Sequence, residues 1–338
     1  MKAGRGLLVL SDRGPTMPAR RGTLPPDHDW VQHTDELRMT LGLPSLASLD
    51  AAPFDPRVHL QPIHALPVAW LNGMLDAERA ALDHGIAAVL GNGIGFITAL
   101  TATGVIGFDE GFSYVQELGR LQQAPLPDGG HGGQVIYPRT DEAWRPDEAL
   151  AATVTATLTA DGGNGRGTVY ESLELGAFDV LAGDDAGVDR LLRHLAPVRV
   201  GERRYPLRLP LHGPDHTPLA AHLAPELSNR MARAAWERPQ VTLIDGLGRR
   251  WTPWSTDPAA LAAYALGPFL TTPYRFATAL RVGLREEAPD LLVVAGPGTG
   301  LSALCGQAIV AEGHRGIRSR ADFERAQASD PVVLSIRR

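Results

Sequence analysis

The chain has 338 residues, a formal net charge of −6 and a single cysteine, Cys305. Its acidic and basic residues are interspersed, which argues against a nucleic-acid or anionic-membrane partner. One cysteine excludes an internal disulfide and a thiolate metal site, and the apolar run from Leu7 to Leu10 is too short for the core of a signal peptide. These features predict a cytoplasmic protein.

The N-terminal third has the alternating strand and helix patterns of an α/β core. Short apolar runs at 6–10 and 86–90 are typical of buried parallel strands. Apolar residues at helical spacing predict helices over 30–42, 63–83 and 96–103, and Asp109 is a candidate N-cap for a further helix.

An uncharged stretch from Gly85 to Phe108 has the length of a membrane-spanning helix. It contains six glycines, however, and three of them stand at Gly91, Gly93 and Gly95. Glycines at this spacing lower helix propensity and supply the backbone freedom of a strand-to-helix turn. The pattern therefore favours a turn inside a soluble fold, with no membrane partner.

Beyond residue 123 the composition changes to Pro, Gly, Asp and His, which indicates a loop into a separate subdomain. Strand-like runs follow at 154–158, 169–175, 178–181 and 205–211, with a helix pattern over 184–195. We predict a small α+β insert at 129–208, within a discontinuous core formed by 1–128 and 209–338.

The last third returns to the core pattern, with strands at 240–244 and 291–295 and a helix from Pro258. The final strand runs into Gly296-Pro-Gly-Thr-Gly300. These glycines are similar to a phosphate-binding loop, but no Lys-Ser/Thr pair follows them, so close packing is the favoured explanation.

Gly91-Asn92-Gly93-Ile94-Gly95 has the glycines of a nucleophile elbow. In such an elbow small flanking residues let a strand and a helix approach closely, while the central side chain is held in a strained turn at the helix N-terminus. Acyl transfer through a covalent intermediate needs a nucleophile at that central position. Here the position is occupied by Gly93, which has no side chain.

Five segments, in the expected order, resemble the malonyl-CoA:acyl-carrier-protein transacylase family of fatty acid and polyketide synthesis. The resemblance implies an α/β-hydrolase-like parallel-sheet core with a ferredoxin-like insert between the elbow and a histidine loop. The segments are Gln61-Pro-Ile-His-Ala-Leu66, 91–123, His212-Gly-Pro-Asp-His-Thr-Pro-Leu219, Thr272-Pro-Tyr-Arg-Phe276 and Gly296-Pro-Gly-Thr-Gly-Leu301.

The same resemblance assigns roles to individual positions. Gly93 stands at the catalytic serine, and His216 keeps the position of the catalytic base. Ile94 and Arg13 stand at positions of the oxyanion hole, where the N-terminal loop 12–16 has lost both of the family's glutamines. Asn92 replaces a histidine in the substrate site, and Leu118 replaces the arginine that binds the malonyl carboxylate.

Three residues have alternative interpretations. His216 is either a retained binding group or a loop histidine satisfied by the backbone. Arg275 either binds a substrate carboxylate or phosphate, or braces a loop, which is the more common role. Cys305 lies on an apolar helix face, which favours a buried structural thiol over a substitute nucleophile.

Two functions follow from the resemblance and its departures. The first is a non-catalytic homologue that binds acyl-carrier protein or an acyl-CoA thioester, with no metal and no other cofactor. The second is an active acyltransferase or hydrolase with an altered nucleophile and a non-malonyl acyl group. A basic patch for the acidic carrier protein is predicted on the insert, and its alternative is a solvated face; its members are Arg190, Arg193, Arg199, Arg203 and Arg204.

Overall fold

The structure of the chain is a computed structural model, which describes residues 5–13, 22–159, 167–297 and 300–336. The strands are β1 (Arg5–Leu10), β2 (Gly85–Gly91), β3 (Gly133–Pro138), β4 (Val169–Glu174), β5 (Phe178–Gly183), β6 (Val198–Val200), β7 (Arg203–Tyr205), β8 (Leu207–Leu209), β9 (Thr242–Ile244), β10 (Arg250–Trp251), β11 (Tyr274–Arg275), β12 (Leu291–Ala295) and β13 (Val333–Ser335).

The helices surround these strands. They are α1 (Asp29–Thr40), α2 (Leu46–Ala51), α3 (Pro56–His59), α4 (Pro62–Asp83), α5 (Ile94–Ala102), α6 (Phe108–Leu121), α7 (Glu148–Thr159), α8 (Asp185–His194), α9 (Leu223–Arg230), α10 (Pro258–Leu266), α11 (Pro268–Thr271), α12 (Phe276–Glu286), α13 (Leu301–Glu312) and α14 (Arg320–Ser329). Short 3₁₀ helices occur at Pro218–Ala220 and His314–Gly316.

The larger sheet has the order β10-β9-β2-β1-β12-β13 and is parallel except for β10. Its central strand β1 is buried from Gly6 to Leu10 because helices cover both faces of a parallel sheet. The parallel α/β core predicted from the sequence is confirmed. Since parallel strands all end at the same edge, the residues directly after β1, β2 and β12, which are Ser11, Asn92 and Gly296, lie close together there.

The smaller sheet carries the predicted insert. Its strands β3, β4, β5 and β8 are antiparallel to their neighbours and, with α7 and α8, follow one another along the chain as β-α-β-β-α-β. The insert has its own apolar cluster, centred on Val135, Leu181 and Leu191. Strand β11 of the core adds to its edge through Tyr274 and Arg275, which ties the two sheets together.

The uncharged stretch of 85–108 divides into β2, a tight turn and α5 rather than forming one long helix. Over the described residues, none of the helices combines the length and apolar character needed to cross a bilayer. The close approach of β2 and α5 depends on glycine. A Cβ on Gly91 would lie 2.1 Å from the carbonyl carbon of Gly95, and a Cβ on Gly95 would lie 2.3 Å from the Leu10 oxygen.

Three local predictions were wrong, and one strand was missed. The alternating pattern at 154–158 lies in helix α7, where Val154 and Thr157 share the buried face. Asp109 is in the first turn of α6, whose N-cap is Gly107. The predicted strand 205–211 is interrupted at Pro206, which leaves β7 and β8 on either side because proline cannot donate to a ladder. Strand β3 was not predicted, because the predicted loop ended at about Gly133 and no element was assigned to the residues after it.

Candidate active-site cleft

Gly93 is the N-cap of α5 and has φ 52° and ψ −123°. This positive φ is costly for any residue with a Cβ, and it is the backbone geometry that the elbow interpretation predicts. Asn92 fixes the turn because its N–H donates to the Leu10 carbonyl at 2.9 Å. The elbow therefore keeps its shape although its central residue has no side chain.

The space that a side chain at position 93 would need is filled by Asp12. A Cβ built on Gly93 would lie 2.7 Å from Oδ2 of Asp12 and 2.9 Å from its Cγ. The carboxylate follows β1 at the sheet edge where β2 also ends. No local pattern predicts this contact, because Asp12 and Gly93 lie far apart in the chain and the 12–16 segment resembles only an oxyanion loop that has lost its glutamines.

Arg13 closes the cleft from the same loop. Its side chain is only 4% exposed, and its Nε donates to Nε2 of His212 at 3.2 Å. Burial lowers the pKa of Arg13, while Asp12 and Asp215 raise it. Among the described residues its buried Nη1 has no hydrogen-bond partner. Residues 14–16 of the predicted oxyanion loop lie outside the described residues.

His212 is held neutral by these contacts. Burial and the neighbouring Arg13 guanidinium lower its pKa to about 3. Its Nδ1 donates to the Pro210 carbonyl at 2.9 Å, so its Nε2 is left as the acceptor that Arg13 requires. His212 was noted in the sequence only as the start of the histidine loop, and the tertiary contact gives it a structural role.

Asp215 braces the far side of the cleft. Its carboxylate accepts a hydrogen bond from Gln122 Nε2 at 2.7 Å, and its carbonyl accepts one from Ser172 Oγ at 2.7 Å. Ser172 in turn accepts from Gln134 Nε2 at 2.7 Å. Burial raises the pKa of Asp215, with Arg13 and His216 opposing that shift. The network joins α6, the insert and the histidine loop.

His216 has the geometry of an oriented base. It is 6% exposed, adopts a positive φ of 58°, and packs against the rings of Phe269 and Tyr274. Its Nδ1 donates to the Phe269 carbonyl at 2.6 Å, which leaves Nε2 as the nitrogen able to accept a proton. A serine at position 93 would be the natural donor to such a base, and glycine cannot supply that proton.

The cavity that remains between these groups is about 40 Å³. A single water needs roughly 10–15 Å³ of such space, so the cavity holds a few waters at most. Asp12, Arg13, Leu118 and His216 are among the residues that line it. In this conformation the cleft has no room for an acyl group.

No protein-family model and no curated protein matches the sequence. Solved structures do match. The acyl carrier protein S-malonyltransferase of Vibrio cholerae is 22% identical, with a TM-score of 0.68 over 90% of this chain and 94% of that one. The malonyl-CoA:acyl carrier protein transacylase of Xanthomonas oryzae is 20% identical, with a TM-score of 0.70 over 97% and 99%.

A further match is a type II PKS acyl-carrier protein in complex with its malonyl-transacylase, 19% identical with a TM-score of 0.69 over 90% of this chain and 93% of that one. This chain has the malonyl-CoA:acyl-carrier-protein transacylase fold. The fold predicted from five short segments is thereby confirmed, including the small subdomain between the elbow and the histidine loop.

On the transacylase fold the remaining predicted site residues divide into two groups. Leu118 and Ile94 line the cleft and are 4% and 5% exposed. Because Leu118 is apolar, its position in the cleft offers no cation to a substrate carboxylate. Asn92 is not among the cleft-lining residues, and its buried Oδ1 lacks a hydrogen-bond partner among the described residues.

The structure does not bring Arg275 to the cleft. Its guanidinium lies 3.3 Å from Glu174 and 3.6 Å from Glu171, both on β4, so it links the core to the insert. Cys305 is fully buried within the core, and burial raises the pKa of its thiol far above the ordinary value. A thiol in that state is a poor nucleophile.

Proposed function

We propose that this chain is a non-catalytic member of the malonyl-CoA:acyl-carrier-protein transacylase family that binds acyl-carrier protein or an acyl-CoA without forming an acyl-enzyme. One observation supports the proposal: the residue at the centre of the turn between β2 and α5, where the sequence resembles the family's nucleophile elbow, is Gly93, and Asp12 fills the space beside it. Deleting the nucleophile of a comparable triad costs on the order of 10⁶ in turnover.

The oriented His216 does not change this conclusion. A general base accelerates attack by a positioned nucleophile. The rate acceleration is roughly 10²–10⁴-fold, and it is obtained only when that nucleophile is within reach of the base. The single cysteine of the chain, Cys305, could replace a serine nucleophile only if it reached the cleft, but it is buried and does not line the cleft. Leu118 in place of an arginine further argues against a malonyl group, because the position that resembles the family's carboxylate-binding arginine carries no charge.

Binding to a carrier protein is supported by fold and by surface charge. A solved structure of the same fold is a malonyl-transacylase in complex with its type II PKS acyl-carrier protein, and the proposal extends that kind of partner to this chain. Acyl-carrier proteins are acidic, so a docking surface should be basic. Exposed arginines that offer such a surface on α8 and the β6–β7 hairpin are Arg193, Arg199, Arg203 and Arg204.

A second candidate function rests on Asp12. Its carboxylate stands where a serine side chain would begin, in a cleft that also contains His216. Carboxylates act as nucleophiles in some covalent mechanisms. Attack by Asp12 on a thioester would form an acyl anhydride and release the thiol, and water would then hydrolyse the anhydride. This chemistry requires the cleft to open.

Intact-mass spectrometry with a panel of acyl-CoAs separates the two functions. We expect no acyl adduct on the wild-type chain, and saturable binding of carrier protein measured by calorimetry on the same sample. A covalent adduct that disappears in Asp12→Asn would establish the second function. Absence of both adduct and binding would contradict the proposed binding role.

Charge reversal tests the basic surface. The triple change Arg199→Glu, Arg203→Glu and Arg204→Glu should weaken carrier-protein binding by at least ten-fold, because like charges then face each other. Arg233→Glu, an exposed arginine elsewhere on the chain, is the matched control. Equal binding by the triple variant and the control would exclude this patch. The cytoplasmic location predicted from the sequence stays a prediction.

A further inference from the structure

A second cavity, here called the groove, has no lining residue in common with the cleft. Its volume is about 860 Å³, against about 40 Å³ for the cleft. It lies between helices α12, α13 and α14 of the core and two loops of the insert, 140–146 and 174–177. Ligand pockets usually measure about 300–1,000 Å³, so the groove has the size of a small-molecule site.

The floor of the groove is apolar. Leu304, Ala308 and Ala311 fall at i, i+4 and i+7 on α13, so they form one stripe along the helix. Ala277 on α12 and Leu175 of the insert face the same space. Most of these residues are alanines, and their small side chains leave the room that larger residues would fill.

The rim of the groove is basic. Two of its glutamates are neutralised by arginines outside the groove, Glu174 by Arg275 and Glu312 by Arg285. By contrast, within the described residues Arg281 and Arg318 have no carboxylate within ion-pair distance. Two uncompensated guanidinium groups at the edge of an apolar floor are suited to a carboxylate or phosphate.

Two more features mark the groove as a binding site. Gln307 lines it with a buried Oε1 that has no hydrogen-bond partner among the described residues, so a ligand N–H or O–H would satisfy it. Trp144 also lines it, at a positive φ of 67° that is strained for a bulky residue, and is held there by Phe323 and Arg320.

We propose that the groove binds a small amphipathic anion: an aliphatic chain on the alanine floor, an N–H or O–H donor at Gln307, and a carboxylate or phosphate at Arg281 and Arg318. A protein partner or a second copy of the chain would be expected to meet a broad, flat apolar face, whereas these residues enclose a concavity. The inference is independent of the proposed carrier-protein binding because the cleft and the predicted basic patch lie outside the groove lining.

Calorimetric titration with N-decanoylglycine tests the proposal, because this probe contains the chain, the amide donor and the carboxylate. We expect saturable binding to one site on the full chain. Ala308→Phe, which fills the floor, should weaken binding at least ten-fold. Arg281→Ala combined with Arg318→Ala should weaken it about five-fold to ten-fold, while Arg233→Ala should leave it unchanged.

A second titration uses decanoate, which lacks the amide donor. Decanoate should bind the wild type more weakly than N-decanoylglycine does, whereas the two probes should bind Gln307→Leu equally well. Competition by decanoyl-CoA would indicate that the natural chain is borne by a thioester, and its failure to compete would indicate a free acid. The proposal is overturned if N-decanoylglycine shows no saturable binding, or if Ala308→Phe, with an unchanged circular dichroism spectrum, binds it as the wild type does.

Discussion

The cleft beside Gly93 and the groove between α12, α13 and the insert differ in what occupies them. Charged and polar side chains fill the cleft and bond to one another, and about 40 Å³ remains. Small apolar side chains line the groove, about 860 Å³ remains, and two rim arginines are uncompensated within the described residues. Both cavities are formed where the core meets the insert.

If the chain is non-catalytic as proposed, the difference means that this fold keeps the backbone of the elbow while other side chains fill the reactive space. Gly91 and Gly95 still hold the strand and helix together, and His216 is still oriented by the Phe269 carbonyl. The space between them is occupied by Asp12 and Arg13. We therefore expect side chains in the cleft to contribute mainly to stability and side chains in the groove to contribute mainly to the proposed binding.

The largest effect on stability is expected where the backbones of β1 and α5 approach each other most closely beside the cleft. Gly95→Ala should lower the free energy of unfolding by about 4 kcal/mol or more, because its Cβ would lie 2.3 Å from the Leu10 oxygen. Gly300→Ala is the control, since a Cβ there meets nothing within 4 Å and should cost at most about 1 kcal/mol. Equal urea midpoints for the two variants would contradict the close-approach argument.

Gly93→Ser introduces a serine at the position that resembles the family's nucleophile, and it should lower stability by about 1–3 kcal/mol, because serine is strained at φ 52° and meets Asp12. Adding Asp12→Ala should recover part of the loss, with a coupling of about 1 kcal/mol in urea unfolding. In Gly93→Ser alone, without Asp12→Ala, we expect no acyl adduct after incubation with acyl-CoAs. A melting temperature unchanged or raised in Gly93→Ser would refute the strain argument.

The cleft should also make stability depend on pH through His212. Its pKa is about 3 in the folded chain and about 6.5 when unfolded, so the unfolded state binds more protons between these values. Its contribution is therefore complete above pH 6.5 and is lost as the pH falls toward 3. Because the ring is partly exposed, we expect a loss of about 1–3 kcal/mol between pH 6.5 and 4.

The comparison with His212→Gln isolates this contribution. Unfolding by urea at several pH values should give a flatter profile for the variant over the same range. Other groups with shifted pKa values, including His64 and Asp179, are common to both proteins. Parallel profiles would show that His212 is not the source of the pH dependence.

The smallest effect is expected in the groove. Arg281→Ala should change the free energy of unfolding by less than about 0.5 kcal/mol, because the side chain is exposed and has no ion-pair partner among the described residues. Thermal melting against the wild type measures this. A loss of more than 1 kcal/mol would mean that Arg281 supports the fold, which would weaken the contrast between the two cavities.

Much of the core could be predicted from the sequence because its signals are local. The run Gly6–Leu10 is apolar throughout, as a strand buried on both faces must be, and the glycines around Gly93 predicted the elbow. The insert was harder. Residues 154–158 have the pattern of a strand, yet they lie in the helix α7, which buries Val154 and Thr157 on one face.

The sequence by itself determined the parallel core, the position of the elbow, the absence of a serine there and the identity of the candidate base. The core and the elbow depend on residue type and spacing within short segments, whereas the missing serine and the candidate base follow from the resemblance of 91–123 and 212–219 to the transacylase family. Only the tertiary structure decided that Asp12 fills the nucleophile's space, that Arg13 is held by His212, and that a separate groove exists. These contacts join residues up to 199 positions apart, and no local pattern encodes which distant side chains share a cavity.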